Sequence, residues 1–197
     1  MPSALPRKIQ NLFCLAKSGS SLVPLYYISI YLVFVGLDIY TTWLGTPDLK
    51  YERNWIIRLF NLSFREIIPL AFLFAITLSY LSLHSANRIY RELKQIKSNG
   101  NSNTISFLKS DRKIVLNTII LIMFYSHLII SIFVTLNNYL NYIYLYKIEN
   151  PFSPLAYSYV KFESFFNQNF YLYSSGFLIM AGSLLVYFKI SRLIKSQ

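Results

Sequence analysis

Residues 114–138 read IVLNTIILIMFYSHLIISIFVTLNN, and no charged side chain interrupts them. At about 1.5 Å of rise per residue, a helix of this length spans the roughly 30 Å hydrocarbon core of a bilayer. A chain in lipid must satisfy its peptide groups internally, so the stretch reads as a spanning helix. Three further segments share that character: 24–45 (PLYYISIYLVFVGLDIYTTWLG), 66–86 (EIIPLAFLFAITLSYLSLHSA) and 170–188 (FYLYSSGFLIMAGSLLVYF). The expected fold is all-α and integral to a membrane: a four-transmembrane-helix bundle in a single membrane domain over 1–197.

The composition agrees. Of the 197 residues, 54% are hydrophobic, and mean hydropathy is +0.41, which is high for a soluble domain. The net charge of +11 raises the question of nucleic acid. Its distribution answers otherwise. Four spans put both termini on one side, and thirteen cations fall there: Arg7, Lys8 and Lys17, then seven between Arg88 and Lys113, then Lys189, Arg192 and Lys195. The other two loops carry six, Lys50, Arg53, Arg58, Arg65, Lys147 and Lys161, nearly balanced by acids. By the positive-inside rule both termini face the cytoplasm or its organellar equivalent, in a plasma, inner or organellar inner membrane. The charge is a topology signal, and no nucleic-acid partner is expected.

The segments outside the spans have their own patterns. In residues 5–17, Leu5, Ile9, Leu12, Phe13 and Ala16 share one helical face while Arg7, Lys8, Asn11 and Lys17 lie elsewhere. That predicts an N-terminal interfacial amphipathic helix on the bilayer surface, not a cleaved signal. From Asn54 onward a helical period continues through Arg58, Asn61 and Arg65, as a surface helix or an outward extension of span two. Residues 139–169 are dense in Tyr and Phe, as at a headgroup girdle, and are long enough to form a small cap. The single Cys14 excludes an intramolecular disulfide or a cysteine zinc cage.

Span one closes on LDIYTTWLG, residues 37–45, where Asp38, Thr41, Thr42 and Gly45 form one stripe. An acid within a span costs about 2.5–3.5 kcal/mol near the bilayer centre, so it is expected to face a partner or water. Candidate partners lie nearby in the chain: Arg53, Arg58, Arg65 and Asn54, with Asp48 and Glu52 in the intervening loop. Two readings follow. Asp38, Glu52 and Asn54 form an ion, metal or proton-responsive site. Alternatively, Asp38 pairs with an arginine and fixes the first outer loop, while Asn54 caps the next helix.

This arrangement resembles a family of small uncharacterised polytopic membrane proteins with an Asp-x-x-Thr…Gly…Glu-x-Asn-Pro pattern. Asp38, Thr41, Gly45, Glu52, Asn54 and Arg58 match it, Trp55 stands where the family has proline, and the likeness covers about residues 30–85. The resemblance implies a shared polar cluster at Asp38, Thr41, Thr42, Glu52, Asn54 and Arg58, without assigning it an activity.

Enzyme signatures are missing. There is no His-Glu-x-x-His, Gly-x-Ser-x-Gly, phosphate loop or Gly-rich dinucleotide turn. His127 lies roughly 20 Å into span three, whereas His84 is near the inner end of span two, so the two do not suit a shared haem. No metal or other cofactor is expected. In span four, Ser175 with Gly182 and Gly176 with Ser183 are each seven residues apart and make small faces on which another helix can pack.

The sequence therefore points first to a non-enzymatic polytopic membrane protein, an accessory or scaffold subunit whose partners are the lipid bilayer and other membrane subunits. An alternative is a small oligomeric transporter or channel component with Asp38 in a hydrated path. A metalloenzyme using Asp38, Asp48, Glu52 and Asn54 ranks last. Whether Thr77, Ser79, Asn117, Thr118, Ser126 and His127 converge on Asp38 separates the first two readings.

Overall fold

A computed structural model describes residues 22–49, 59–97, 112–165 and 170–196. All regular structure among them is helical. In chain order the elements are α1 (Leu25–Gly45), α2 (Phe64–Lys97), α3 (Arg112–Leu145), α4 (Ser153–Phe165) and α5 (Phe170–Ser196). α1, α2, α3 and α5 are long and apolar enough to cross a membrane, which gives an all-α, four-span chain. The expected interfacial helix at 5–17 lies outside the described residues, as do Glu52, Asn54 and Arg58.

The helices outrun the apolar segments that announced them. α2 and α3 each contain 34 residues, about 51 Å of helix at 1.5 Å per residue. Hydropathy marks only the lipid-covered part, while the hydrogen-bond ladder continues into polar sequence. α2 also has a defined start. The helical residues Leu59 and Phe60 end at Asn61, whose φ of 50° is left-handed, a conformation asparagine tolerates at a helix C-terminus. Ser63 then caps α2: its backbone N–H (2.8 Å) and its hydroxyl (2.9 Å) both donate to Glu66 Oε2, in a capping-box arrangement. The left-handed turn at Asn61 therefore separates Leu59 and Phe60 from α2.

α3 ends in a Schellman motif. Ile148 N–H donates to the Ile143 carbonyl and Lys147 N–H to that of Tyr144, with Lys147 at φ 51°. A lysine there carries a left-handed penalty of about 1–2 kcal/mol, against roughly 0.5–1 kcal/mol of extra chain entropy for glycine. Lys147→Gly is accordingly expected to stabilise the protein by about 0.5–1 kcal/mol, read as a raised melting temperature in detergent. A lowered one would contradict the motif.

The chain divides into two compact units. The first takes residues 1–30, 77–126 and 179–197. α2 contributes a buried face of Leu78, Ser82, Ser85, Ala86, Ile89 and Leu93, whose small side chains admit close helix packing. Ser82 Oγ donates to the Leu78 carbonyl at 2.6 Å, so its burial leaves no orphan hydroxyl. Leu121 and Phe124 of α3 and Val186 and Ile190 of α5 complete the core. Tyr125 donates to the Leu22 carbonyl and meets Tyr27 edge-on, with centroids 5.8 Å apart.

The second unit takes residues 31–76 and 127–178. Its contacts between α1 and α3 follow a register: Tyr31 meets His127, the Phe34 carbonyl meets Thr135, and Asp38 and Thr42 meet Asn138. Both series ascend together, so these helices run parallel here, as the first and third spans of an up-down chain must. α4 packs through Ala156 and Tyr159 on Leu140, Ile143, Tyr139 and Ile148.

Candidate functional site

Asn137, Asn138 and Asn141 of α3 organise a polar network within the second unit. Asn138 Nδ2 donates to Asp38 Oδ1 at 3.2 Å and to Thr42 Oγ1 at 3.0 Å. Its own Oδ1 accepts from Asn137 Nδ2 at 3.3 Å. Asn137 Oδ1 accepts from the Tyr159 hydroxyl at 2.7 Å and from Asn141 Nδ2 at 3.1 Å. Asn141 Nδ2 also donates to Glu163 Oε2 at 3.3 Å. Tyr159 and Glu163 are one turn apart on α4, so a single helical face delivers both. The network thus connects two carboxylates through three amides, with amide N–H groups aimed at each acid. Asn137 and Glu163 are buried, at 4% and 9% exposure. Burial makes each such hydrogen bond costly to lose.

The stripe read from span one divides. Thr42 joins the network. Thr41 is buried, but its hydroxyl donates to the Asp38 carbonyl of its own helix at 3.1 Å. Gly45 lies beside open space. Arg65 is exposed in the first turn of α2, and Asp48 is exposed beyond α1. The amide partners Asn137, Asn138 and Asn141, with Tyr159 and Glu163, were not among the candidates from sequence. His127, Ser131, Thr135 and Asn138 do repeat at helical spacing, but that period does not say which helix the face meets or include the other four residues.

Asp38→Asn tests the charge in this contact. The variant keeps an acceptor for Asn138 but loses the charge assistance, which separates about 1.5–3 kcal/mol from about 0.5–1.5 kcal/mol per hydrogen bond. A loss of about 1 kcal/mol is expected, against no more than about 0.5 kcal/mol for Asp48→Asn at its exposed position. Comparable melting curves for the two would remove the support for this account.

Other polar groups within the spans have separate neighbours. Asn117 donates to the Lys113 carbonyl at 2.7 Å and Thr118 to that of Ile114 at 2.8 Å, both on their own helix. Ser126 Oγ approaches the Ile179 carbonyl at 3.5 Å. Thr77 is exposed, and Ser79 is buried with no hydrogen-bond partner for Oγ among the described residues. His127 Nδ1 lies 3.0 Å from the Tyr31 hydroxyl and 3.3 Å from Ser131 Oγ, with the Phe74 ring centroid 5.1 Å away. His84 is exposed on α2. Among the described residues no three His, Cys, Asp or Glu side chains gather as metal ligands.

The small residues of α5 also differ in their surroundings. A Cβ on Gly182 would lie 2.8 Å from Ser126 N and 2.9 Å from Ser126 Cα, so α5 touches α3 backbone to backbone there. Gly176 is exposed with open space beside it. Ser183 donates to the Ile179 carbonyl of its own helix at 2.9 Å, and Ser175 is partly buried.

Comparison with protein-family models, curated proteins and solved structures finds no match.

Proposed function

We propose that the chain is a non-enzymatic membrane subunit, an accessory or scaffold component acting through contacts with other membrane proteins. The supporting observation is the dispersal of its intramembrane polar groups. Asn117 and Thr118 bond carbonyls of their own helix and Ser126 approaches the Ile179 carbonyl, while His127 bonds Tyr31 in the same α1–α3 contact that holds Asp38. A hydrated path needs such groups to converge, whereas helix-to-helix fastening needs them satisfied locally. The Asp38 network belongs to the same class, since it fastens α1 and α4 to α3. The bias of cations supports a cytoplasmic or equivalent side for both termini.

Gentle detergent extraction of tagged protein, followed by native mass analysis, tests this reading. Stoichiometric co-purification of other membrane proteins is expected. A lone chain or a homo-oligomer that supports ion flux abolished by Asp38→Asn would instead establish the transport alternative.

A further inference from the structure

The first unit holds a cation in an unusual setting. Lys189 is half-buried on α5, with its Nζ 5.0 Å from the centroid of the Tyr27 ring and 5.3 Å from that of Tyr125. The rings are themselves fixed: they meet edge-on, and the Tyr125 hydroxyl is tied to the Leu22 carbonyl. An aromatic face attracts an ammonium group, but it is a poor substitute for oxygen acceptors for three N–H donors. Arg192, one turn further along α5, is exposed and adds a second cation on the same side of the helix.

Fixed negative charge is scarce around them. The described residues of this unit contain one acid, Glu92, while Arg88, Arg91, Arg112 and Lys113 are all exposed. We propose that Lys189 and Arg192, positioned against Tyr27 and Tyr125, bind the phosphate of an anionic phospholipid. The position on α5 favours a lipid over free phosphate. Leu184, Leu185 and Phe188, immediately before the lysine, are 48%, 42% and 63% exposed, so an apolar surface for acyl chains adjoins the two cations. A free anion would use the charges and leave that surface uncovered. Basic pockets at the ends of spanning helices are suited to anionic headgroups.

The test uses the full chain, delipidated in detergent and then offered phosphatidylglycerol or phosphatidylcholine, with retained lipid counted by native mass analysis and melting followed in parallel. Preferential retention of phosphatidylglycerol and a higher melting temperature with it are expected. Each cation contributes about a fivefold preference. Arg192→Gln, at an exposed position, should therefore lower the preference about fivefold and Lys189→Gln/Arg192→Gln about twenty-five-fold. Lys189→Arg should largely retain it. Melting in lipid-free detergent should stay unchanged for Arg192→Gln, which keeps the test independent of folding. Equal retention of the two lipids by the unaltered chain, or an undiminished preference in Arg192→Gln, would overturn the proposal. Stabilisation by glycerol phosphate equal to that by phosphatidylglycerol would overturn the lipid assignment in favour of a free-phosphate site.

Discussion

Gly182→Ala should destabilise the protein by about 1–3 kcal/mol, the usual cost of forcing a methyl group into a packed interior, while Gly176→Ala should be neutral or mildly stabilising. The chemical change is identical and both positions are helical, so intrinsic propensity favours alanine by up to about 1 kcal/mol in each case. Their surroundings differ. At 182 the new Cβ would meet Ser126 N at 2.8 Å and Cα at 2.9 Å; at 176 nothing lies within 4 Å. Backbone atoms cannot rotate aside as a side chain can, so α5 must move away from α3. Between helices in lipid, association depends on this kind of close contact more than on removal of apolar surface from water. The double variant Gly182→Ala/Ser126→Ala discriminates further. Removing the Ser126 hydroxyl leaves the backbone clash, so it should restore little stability. Denaturant titration in mixed micelles measures all three. Equal stability of the two glycine variants would refute the close-contact account.

These glycines also show how far the sequence could be read. Span number and helical class were legible because lipid imposes one demand, a long apolar helix, that each segment meets alone. Small residues seven apart indicated that α5 has a packing face, but they carried no information about which neighbour meets which glycine. The Asp38 contact was illegible for a related reason. Its amide partner, Asn138, lies 100 positions away along the chain, whereas the adjoining loop offers arginines close in sequence. The run NNYLN, residues 137–141, straddles the end of the apolar stretch and the start of the aromatic-rich segment. Only the parallel register of α1 and α3 turns it into the partner of span one. The cap was equally ambiguous: Pro151 and Pro154 allowed a folded element, but the anchoring pair Tyr159 and Glu163 becomes visible only when α4 is laid on α3.

Asn137→Leu is expected to have the largest effect within the polar network, about 2–6 kcal/mol, because it withdraws hydrogen bonds from two buried or half-buried groups at about 1–3 kcal/mol each. The Tyr159 hydroxyl loses its 2.7 Å acceptor, and Asn138 Oδ1 loses its donor. Asn141 is affected less, since its Nδ2 also donates to the Asn137 backbone carbonyl at 3.0 Å, which leucine retains. Tyr159→Phe removes the hydrogen bond to Asn137 Oδ1 together with its donor, so losing that contact should cost only about 1 kcal/mol. The two changes act on one contact, and the double variant should therefore cost less than the sum of the singles. Leucine keeps the branched four-heavy-atom shape and leaves no cavity, which separates lost hydrogen bonding from lost volume. The loss should also be local. α4 is held to α3 by this network and by the small cluster of Leu140, Ile143 and Ala156, so weakening the network should free α4 before the rest of the chain unfolds. Hydrogen exchange across residues 153–165 should then rise ahead of exchange in the part of α3 that contains Leu121 and Phe124. Strict additivity of Asn137→Leu and Tyr159→Phe, with no change in exchange along α4, would mean that the network does not hold this helix in place.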